Sequence, residues 1–414
     1  MALYSHYDYV VVGVGGIGSG SLYWLTKLAA PGQRVLGVEQ FRLGHDNGSS
    51  QDVSRIIRYM YHDPDYVRLA PGSFEAFAEV EEESGIKLVT MTGSVFFTDP
   101  ADGHAADVEE YAAALTQEKV PFERLDGPGL NRRFPQFNTA HRNLSAIYQK
   151  DGGFVNAGLA NAVHTQLARA RGAEILENTK VTKIEKQAGE LLLITTDKGD
   201  RFTAGKLIIS AGCWNNNLLK HFDMQVSITC TQEQVSYFAT PNLKEFLPER
   251  FPVWMSVGKT FDYYGIPINP GVNTGVKIAA DCSGNICTPD TRTFDAHSER
   301  LQAATEFLGD FLPRAVGPLL YTKTCLYELT PDRHFILDSL ACKGFPNVYA
   351  FMGCGHGFKF ASLVGKIFAQ LAVTGQTEYP LSENFRIDRP ALQLMDVRGN
   401  VTFGHRDHLK LPGT

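Results

Sequence analysis

Apolar positions along this chain follow two periods in turn. Tyr9-Val10-Val11-Val12 is a β-branched run that predicts a buried strand, and Leu22, Leu25 and Leu28 follow at helical spacing. Residues 34–38 predict a second strand. Phe74, Phe77 and Val80 predict a helix from Phe74 to about Gly85, β-branched alternation predicts strands over 88–97, and a helix is expected over 105–118. Gly127-Pro128-Gly129 reads as a loop. Helical spacing returns over 156–171 with Leu159, Val163 and Leu167, followed by short strands near 174–176, 181–184, 191–195 and 206–210. From about 225 to 320 the chain reads as β-rich, with strand pieces at 236–238, 261–265 and 275–278, before a helix over 298–313. Apolar strands at 335–338 and 348–351 then precede a last helix through Leu363, Ile367 and Leu371, closed by Gly375.

Strand–helix alternation thus appears at the start, middle and end, interrupted by two β-rich blocks. The expected class is α/β (α+β overall): a Rossmann-like nucleotide domain with an interleaved, β-sheet-rich domain. The first would comprise 1–88, 149–225 and 322–392, the second 89–148 and 226–321, with 393–414 as a tail. A length of 414 residues is consistent with two domains.

The junction of the first strand and helix is Gly13-Val14-Gly15-Gly16-Ile17-Gly18, a G-x-G-x-x-G turn. Such a turn lets backbone approach a pyrophosphate at a helix N-terminus. Glu39 ends the second strand 21 residues after Gly18, a spacing suited to a carboxylate on a ribose hydroxyl. A polar loop, 44–54, then leads into Arg55-Ile56-Ile57-Arg58. The two arginines read equally well as a solvated pair or as part of a site. A second strand-to-glycine turn, Ala211-Gly212-Cys213-Trp214, reads by itself as an ordinary strand end.

Composition narrows the partners. A formal charge of −6 without a basic block argues against nucleic acid. Seven scattered cysteines show neither a disulfide framework nor metal-ligand spacing, so no metal is expected and a reducing compartment is the simpler assumption. No apolar run approaches the roughly 20 residues of a membrane span. The first strand leaves no room for a signal peptide, and Leu411-Pro412-Gly413-Thr414 is not a peroxisomal address, so a cytoplasmic location is expected.

With these pieces together the chain resembles the monomeric sarcosine oxidase family of flavoprotein amine oxidases, in the D-amino acid oxidase superfamily. That family includes N-methyltryptophan, pipecolate and fructosyl-amino-acid oxidases. The resemblance runs from Tyr9 to about Leu392. It is most specific in Asn47-Gly48-Ser49 through Arg58, Gly275-Val276-Lys277, Cys325-Leu326-Tyr327, Asp332-Arg333-His334-Phe335 and Gly355-His356-Gly357-Phe358-Lys359-Phe360.

The resemblance implies FAD as the dinucleotide, attached covalently by an 8α-S-cysteinyl bond at Cys325. It implies cofactor contacts from Gly13, Gly15, Gly16, Ile17, Gly18, Glu39, Gln40, Ser49, Ser50, Arg55, Ile56, Val181, Ala211, Gly212 and Trp214, and from Gly355, His356, Gly357, Phe358 and Lys359. Arg58 and Lys359 match the cations that bind the substrate carboxylate. Lys277 matches the lysine that activates oxygen, Arg55 an arginine close to the flavin, and Tyr61 and Tyr327 pocket aromatics. His356 reads as a turn residue lining the flavin, not a base.

The chain departs from sarcosine oxidases at Asp281, where they place a histidine near the substrate, and in a 264–277 loop that is two residues longer. Thr330-Pro331-Asp332-Arg333 leans toward the fructosyl-amine branch. The implied activity is oxidation of a secondary amino acid to its imine by O₂, releasing H₂O₂, in a monomer with a small-molecule substrate and no membrane partner. A fructosyl-amino-acid or saccharopine/pipecolate-type substrate stays open. So do a dehydrogenase with another acceptor, a nicotinamide enzyme and an inactive flavin-binding protein.

Overall fold

The computed structural model describes residues 4–100, 105–258 and 260–393, so the expected tail beyond residue 393 lies outside the described residues. An eight-stranded sheet carries the glycine-rich turn. Its central strand, Ser5–Val12, lies parallel to Val35–Val38 on one side and Arg201–Ile209 on the other. Glu174–Leu176 extends one edge in parallel, while Leu192–Thr196 and Val181–Lys186 extend the other antiparallel. Phe345–Met352 pairs parallel with the end of Arg201–Ile209 and carries Ile336–Leu340.

Side chains alternate across the central strand: Tyr9 and Val11 enter one apolar core, Val10 and Val12 the other. Burial on both faces explains why this segment reads as a continuous apolar run. On the first face, the helices Gly16–Leu28 and Ala361–Thr374 cross at two glycines. A Cβ on Gly20 would lie 2.6 Å from the Ala361 carbonyl oxygen, and one on Gly365 would lie 2.4 Å from the Gly20 carbonyl carbon.

A nine-stranded sheet forms the second layer. Its spine is Thr229–Phe238, antiparallel to Leu319–Leu329 on one edge and to Val276–Asp281 on the other. Residues 319–329, which the sequence divides at 321/322, therefore form one strand of this sheet. Ser94–Thr98 joins it parallel to Val253–Val257. Beneath lies an aromatic core of Phe97, Phe137, Phe246, Phe251 and Trp254. A small third sheet, Arg55–Arg58, Gly152–Val155 and Val89–Met91, brings the 44–58 segment between the two large ones.

Two expectations are corrected. The helix expected from Phe74 begins ten residues earlier and spans Pro64–Ser84. Asp63 caps it by accepting from the Asp65 amide, Pro64 occupies its first turn, and Pro71 lies inside it. Tyr66, Val67, Leu69 and Ala70 are buried there, so packing outweighs the helix bond that Pro71 removes. Gly127-Pro128-Gly129 is the first turn of the helix Gly127–Arg133, with Asp126 accepting from the Gly129 amide at 2.7 Å. The helices over 105–118, 156–171 and 298–313 form as Ala105–Gln117, Ala157–Ala170 and Ser298–Phe311.

The helix crossing generates a test. Gly365→Ala adds a methyl group where backbone already fills the space, and overpacking of this kind costs about 1–3 kcal/mol. The denaturation midpoint should fall accordingly; an unchanged midpoint would contradict the close approach.

Candidate active site

The helix Gly16–Leu28 starts without a side-chain cap and with no acid in its first turn. Its N-terminal end faces a cavity of about 450 Å³, leaving the positive end of the helix dipole open to an anion. Gly13, Gly15, Gly16, Ile17, Glu39, Gln40, Ser49, Ser50, Val181, Ala211, Gly212 and Trp214 all line this cavity. Gly13 has φ +89°, and a Cβ there would lie 2.5 Å from the Ser210 carbonyl oxygen. Ser50 reaches the turn through its Oγ, which accepts from the Gly16 amide at 2.9 Å.

Glu39 is buried and accepts from the Val14 amide at 2.8 Å and the Phe41 amide at 3.0 Å. Gly18 does not line the cavity. A Cβ there would lie 1.8 Å from the Gly13 carbonyl oxygen, so its place is in the packing of helix on strand. Ile56 packs instead against Phe154, Val253 and Ile266.

Beyond the Ser49 end of the cavity lies a cluster of charges. Arg55 donates to the Ser49 carbonyl at 3.0 Å and pairs with Asp52. Lys277, fully buried at 0% exposure, donates to Asp52 Oδ2 at 2.6 Å and to the Ser54 carbonyl at 2.8 Å. Tyr237, opposite Lys277 in the sheet register, donates to Asp52 Oδ1 at 2.6 Å. Burial works against the Asp52 carboxylate, but Lys277 and Arg55 outweigh it and hold Asp52 well below the usual carboxylate range. For Lys277 burial is the larger influence, opposed by Asp52, and the ammonium is pushed down to about 8.

Cys325 is buried on Leu319–Leu329, with Tyr327 two residues on and so on the same face. Burial pushes its thiol up, while Arg55 pulls it down.

A second group forms around Arg58. The odd spacing sends Arg55 and Arg58 off opposite faces of their strand. Arg58 is 9% exposed, with its guanidinium 4.7 Å from the Tyr61 ring centre. The Lys359 ammonium lies 5.5 Å from the same ring and donates to the His356 carbonyl at 2.8 Å. Burial and then repulsion from Arg58 push Lys359 well below its ordinary value, with Asp281 opposing. Among the described residues, Arg58 Nε and Nη1 are buried without hydrogen-bond partners.

Asp281 lies on the same face of Val276–Asp281 as Lys277, about 13 Å along the strand at ~3.3 Å per residue. Its carboxylate is 41% exposed and lies 4.0 Å from Arg333. Burial, then Lys359 and Arg333, push the His356 imidazole well below its ordinary value. A Cβ on Gly355 (φ +77°) would meet the Tyr327 ring, and the Phe358 ring would meet a Cβ on Gly16. The 355–359 turn therefore bridges the Arg58 group and the nucleotide cavity.

A model of the FAD-dependent oxidoreductase family matches residues 8–371. This chain belongs to that family. Among relatives, monomeric sarcosine oxidase of Streptomyces avermitilis is 35% identical over 379 residues, covering 91% of this chain and 96% of that protein. N-methyl-L-tryptophan oxidase of Shigella flexneri is 28% identical over 388 residues, covering 92% and 99%. Among solved structures, the open form of NikD, an unusual amino acid oxidase essential for nikkomycin biosynthesis, superposes with TM-score 0.80 at 26% identity, covering 92% of this chain and 97% of that one.

The residues present suit the family's cofactor. The uncapped helix end and glycine turn offer a pyrophosphate site, Glu39 sits on the cavity wall, and the cavity runs to Ser49 and Glu328, beside Arg55 and three residues from Cys325. Several of the lining residues carry no signature in the sequence. Asn161, Thr165 and Arg169, on the helix Ala157–Ala170, also line the cavity, but their helical spacing carries no nucleotide signature. Asp52 carries none either, because its partner Lys277 lies 225 residues away.

Asp52 supplies the test of this geometry. Asp52→Ala leaves Lys277 and Arg55 buried together without a counter-charge, and breaking such a buried pair costs about 3–5 kcal/mol. Equilibrium denaturation should register a loss of that size, and a variant as stable as wild type would contradict the arrangement.

Proposed function

We propose that this family member is an oxidase of secondary amino acids, with Arg58 and Lys359 binding the substrate carboxylate. The observation that carries the reading is the Arg58 guanidinium, buried with two nitrogen atoms unpartnered beside a second buried cation. Neither cation forms an ion pair with a carboxylate among the described residues. Two desolvated positive groups beside the same Tyr61 ring favour an anion strongly, because the surrounding medium screens them weakly. Arg58 offers a planar fork and Lys359 a point charge. Fixing the carboxylate there orients the C–H bond beside nitrogen, which is a proximity effect.

FAD, held by the glycine turn and the cavity walls, would supply the two-electron acceptor for oxidation of the C–N bond, with O₂ as the final acceptor giving H₂O₂. Lys277 places a positive charge where negative charge develops on oxygen, and Asp52 orients it. Cys325 is the proposed site of covalent attachment; burial raises its thiol, and Arg55 and Lys277 oppose that rise, favouring the thiolate that attachment requires. Asp281 supports a second reading of substrate size. Its half-exposed carboxylate, in electrostatic range of Lys359, would accept from an additional hydroxyl or ammonium that sarcosine lacks.

Anaerobic mixing with N-alkyl amino acids should bleach the visible flavin band. Arg58→Gln should raise the half-saturating concentration about 10–100-fold, from the ~1.5–3 kcal/mol of charge-assisted hydrogen bonds it removes. Bleaching with unchanged saturation would count against the clamp. Because the Lys277 cation is present below about pH 8 and lost above it, reoxidation by O₂ should slow as pH rises through that value. Lys277→Met should slow it ~10²–10³-fold at neutral pH and flatten the profile. A Lys277→Met enzyme with wild-type reoxidation would refute the assignment. Acid precipitation should leave the yellow colour in the pellet for wild type and in the supernatant for Cys325→Ala; colour free in both would remove the covalent link.

A further inference from the structure

Three cysteines that are far apart in sequence meet at the rim of the cofactor cavity. Cys213, in the turn that follows Arg201–Ile209, lines the cavity itself. Cys230 lies on Thr229–Phe238 of the other large sheet, with its Sγ 3.1 Å from that of Cys213. The Cys287 sulfur lies 3.9 Å from that of Cys230, its amide donating to the Cys230 carbonyl at 2.9 Å. All three are half-buried free thiols. Glu328, directly opposite Cys230 in the sheet register, brings a carboxylate oxygen to 3.9 Å from the Cys213 sulfur.

We propose that Cys213 and Cys230 are a peroxide-sensitive dithiol, closing to a disulfide that ties the cavity turn to the second sheet. The inference rests on the oxidase reading for its oxidant, since H₂O₂ is the product that reading releases. The roles follow from geometry. The Cys230 S–H donates to the Cys213 sulfur, so negative charge is favoured at Cys213, which makes Cys213 the attacking thiol and Cys230 the resolving one.

Glu328 takes the Cys213 proton. The sulfur attacks one peroxide oxygen, the O–O bond breaks, and the leaving hydroxide recovers that proton as water. Cys213 is thereby oxidised by two electrons to a sulfenic acid. The Cys230 sulfur then attacks it, the S–S bond forms, the S–O bond breaks, and the Cys230 proton leaves with the oxygen as a second water. Two thiols and one peroxide give one disulfide and two waters. The hydrogen bond from Cys230 favours the Cys213 thiolate, but burial and the Glu328 carboxylate leave that thiol raised, and donation to Cys213 raises Cys230, so the pair responds to accumulated peroxide and not to each turnover.

The sulfur atoms must close about 1 Å to reach the ~2.05 Å bond length, a shift that the turn residue Cys213 can supply. The bond would span 17 residues of chain, the crossover between the two large sheets.

The test treats purified holoenzyme with a series of H₂O₂ concentrations, blocks remaining thiols by alkylation and maps peptides by mass. The expected result is a Cys213–Cys230 linked peptide, two hydrogens lighter than the sum of its parts, reversed by dithiothreitol and accompanied by a higher melting temperature. The link should persist in Cys287→Ser. In Cys230→Ser it should be replaced by a sulfenic acid at Cys213 that a dimedone-type reagent captures. Added peroxide that produces no linked peptide, or that oxidises Cys287 first, overturns the proposal. A second arm replaces peroxide by aerobic turnover of an N-alkyl amino acid. The same link, abolished by catalase, is expected. A link with added peroxide but none with turnover would support the dithiol and count against the oxidase reading.

Discussion

Asp52 accepts from Lys277, Arg55 and Tyr237 at once, so a single buried carboxylate joins the 44–54 loop, the small third sheet and two strands of the nine-stranded sheet. Isolated, any of these charges would be costly to bury; together they satisfy one another. The pairing holds Arg55 beside Cys325 and leaves Lys277 charged at neutral pH in spite of complete burial. Arg55 then reaches the Ser49 carbonyl on the wall of the nucleotide cavity. The cavity and the charge cluster are therefore connected through backbone, not merely adjacent.

Close backbone packing provides the complementary constraint. Gly18 against Gly13, and Gly20 against Gly365, set the first helix near both its strand and the last helix. The last helix follows the 355–360 turn, so the same packing that opens the first helix toward an anion delivers Lys359 to Tyr61 and Arg58. Asp52 pairs with Lys277 and Arg55, whereas Arg58 and Lys359 have no such partner among the described residues. On the proposed reading, that contrast separates a cation held by the protein from cations that bind the substrate carboxylate.

Much of the fold was legible along the chain because its signals are local. Tyr9–Val12 is apolar on both faces, the glycine turn follows at once, Asn156 caps its helix and Gly375 ends the last one in a left-handed conformation. The start of Pro64–Ser84 was not legible, because Pro71 opposes a helix that tertiary burial sustains. Periodicity reports which face a residue occupies but not what it meets. Hence Lys277 was recognised by resemblance while its partner Asp52 was not, and scattered cysteines gave no sign that Cys213, Cys230 and Cys287 converge. The exposure of Arg55 and Arg58 was equally open until the third sheet placed one beside Asp52 and the other over Tyr61.

The central claim is that Arg58 and Lys359 act as one anion clamp. A double-mutant cycle tests it most directly, reading the affinity of a simple carboxylate that lacks an amine from the perturbed flavin spectrum of wild type, Arg58→Gln, Lys359→Met and the double variant. Two cations on one carboxylate predict a coupling above about 0.5 kcal/mol, with the double variant losing less than the two single losses combined. Additive losses, or a carboxylate affinity that neither substitution moves, would contradict the account.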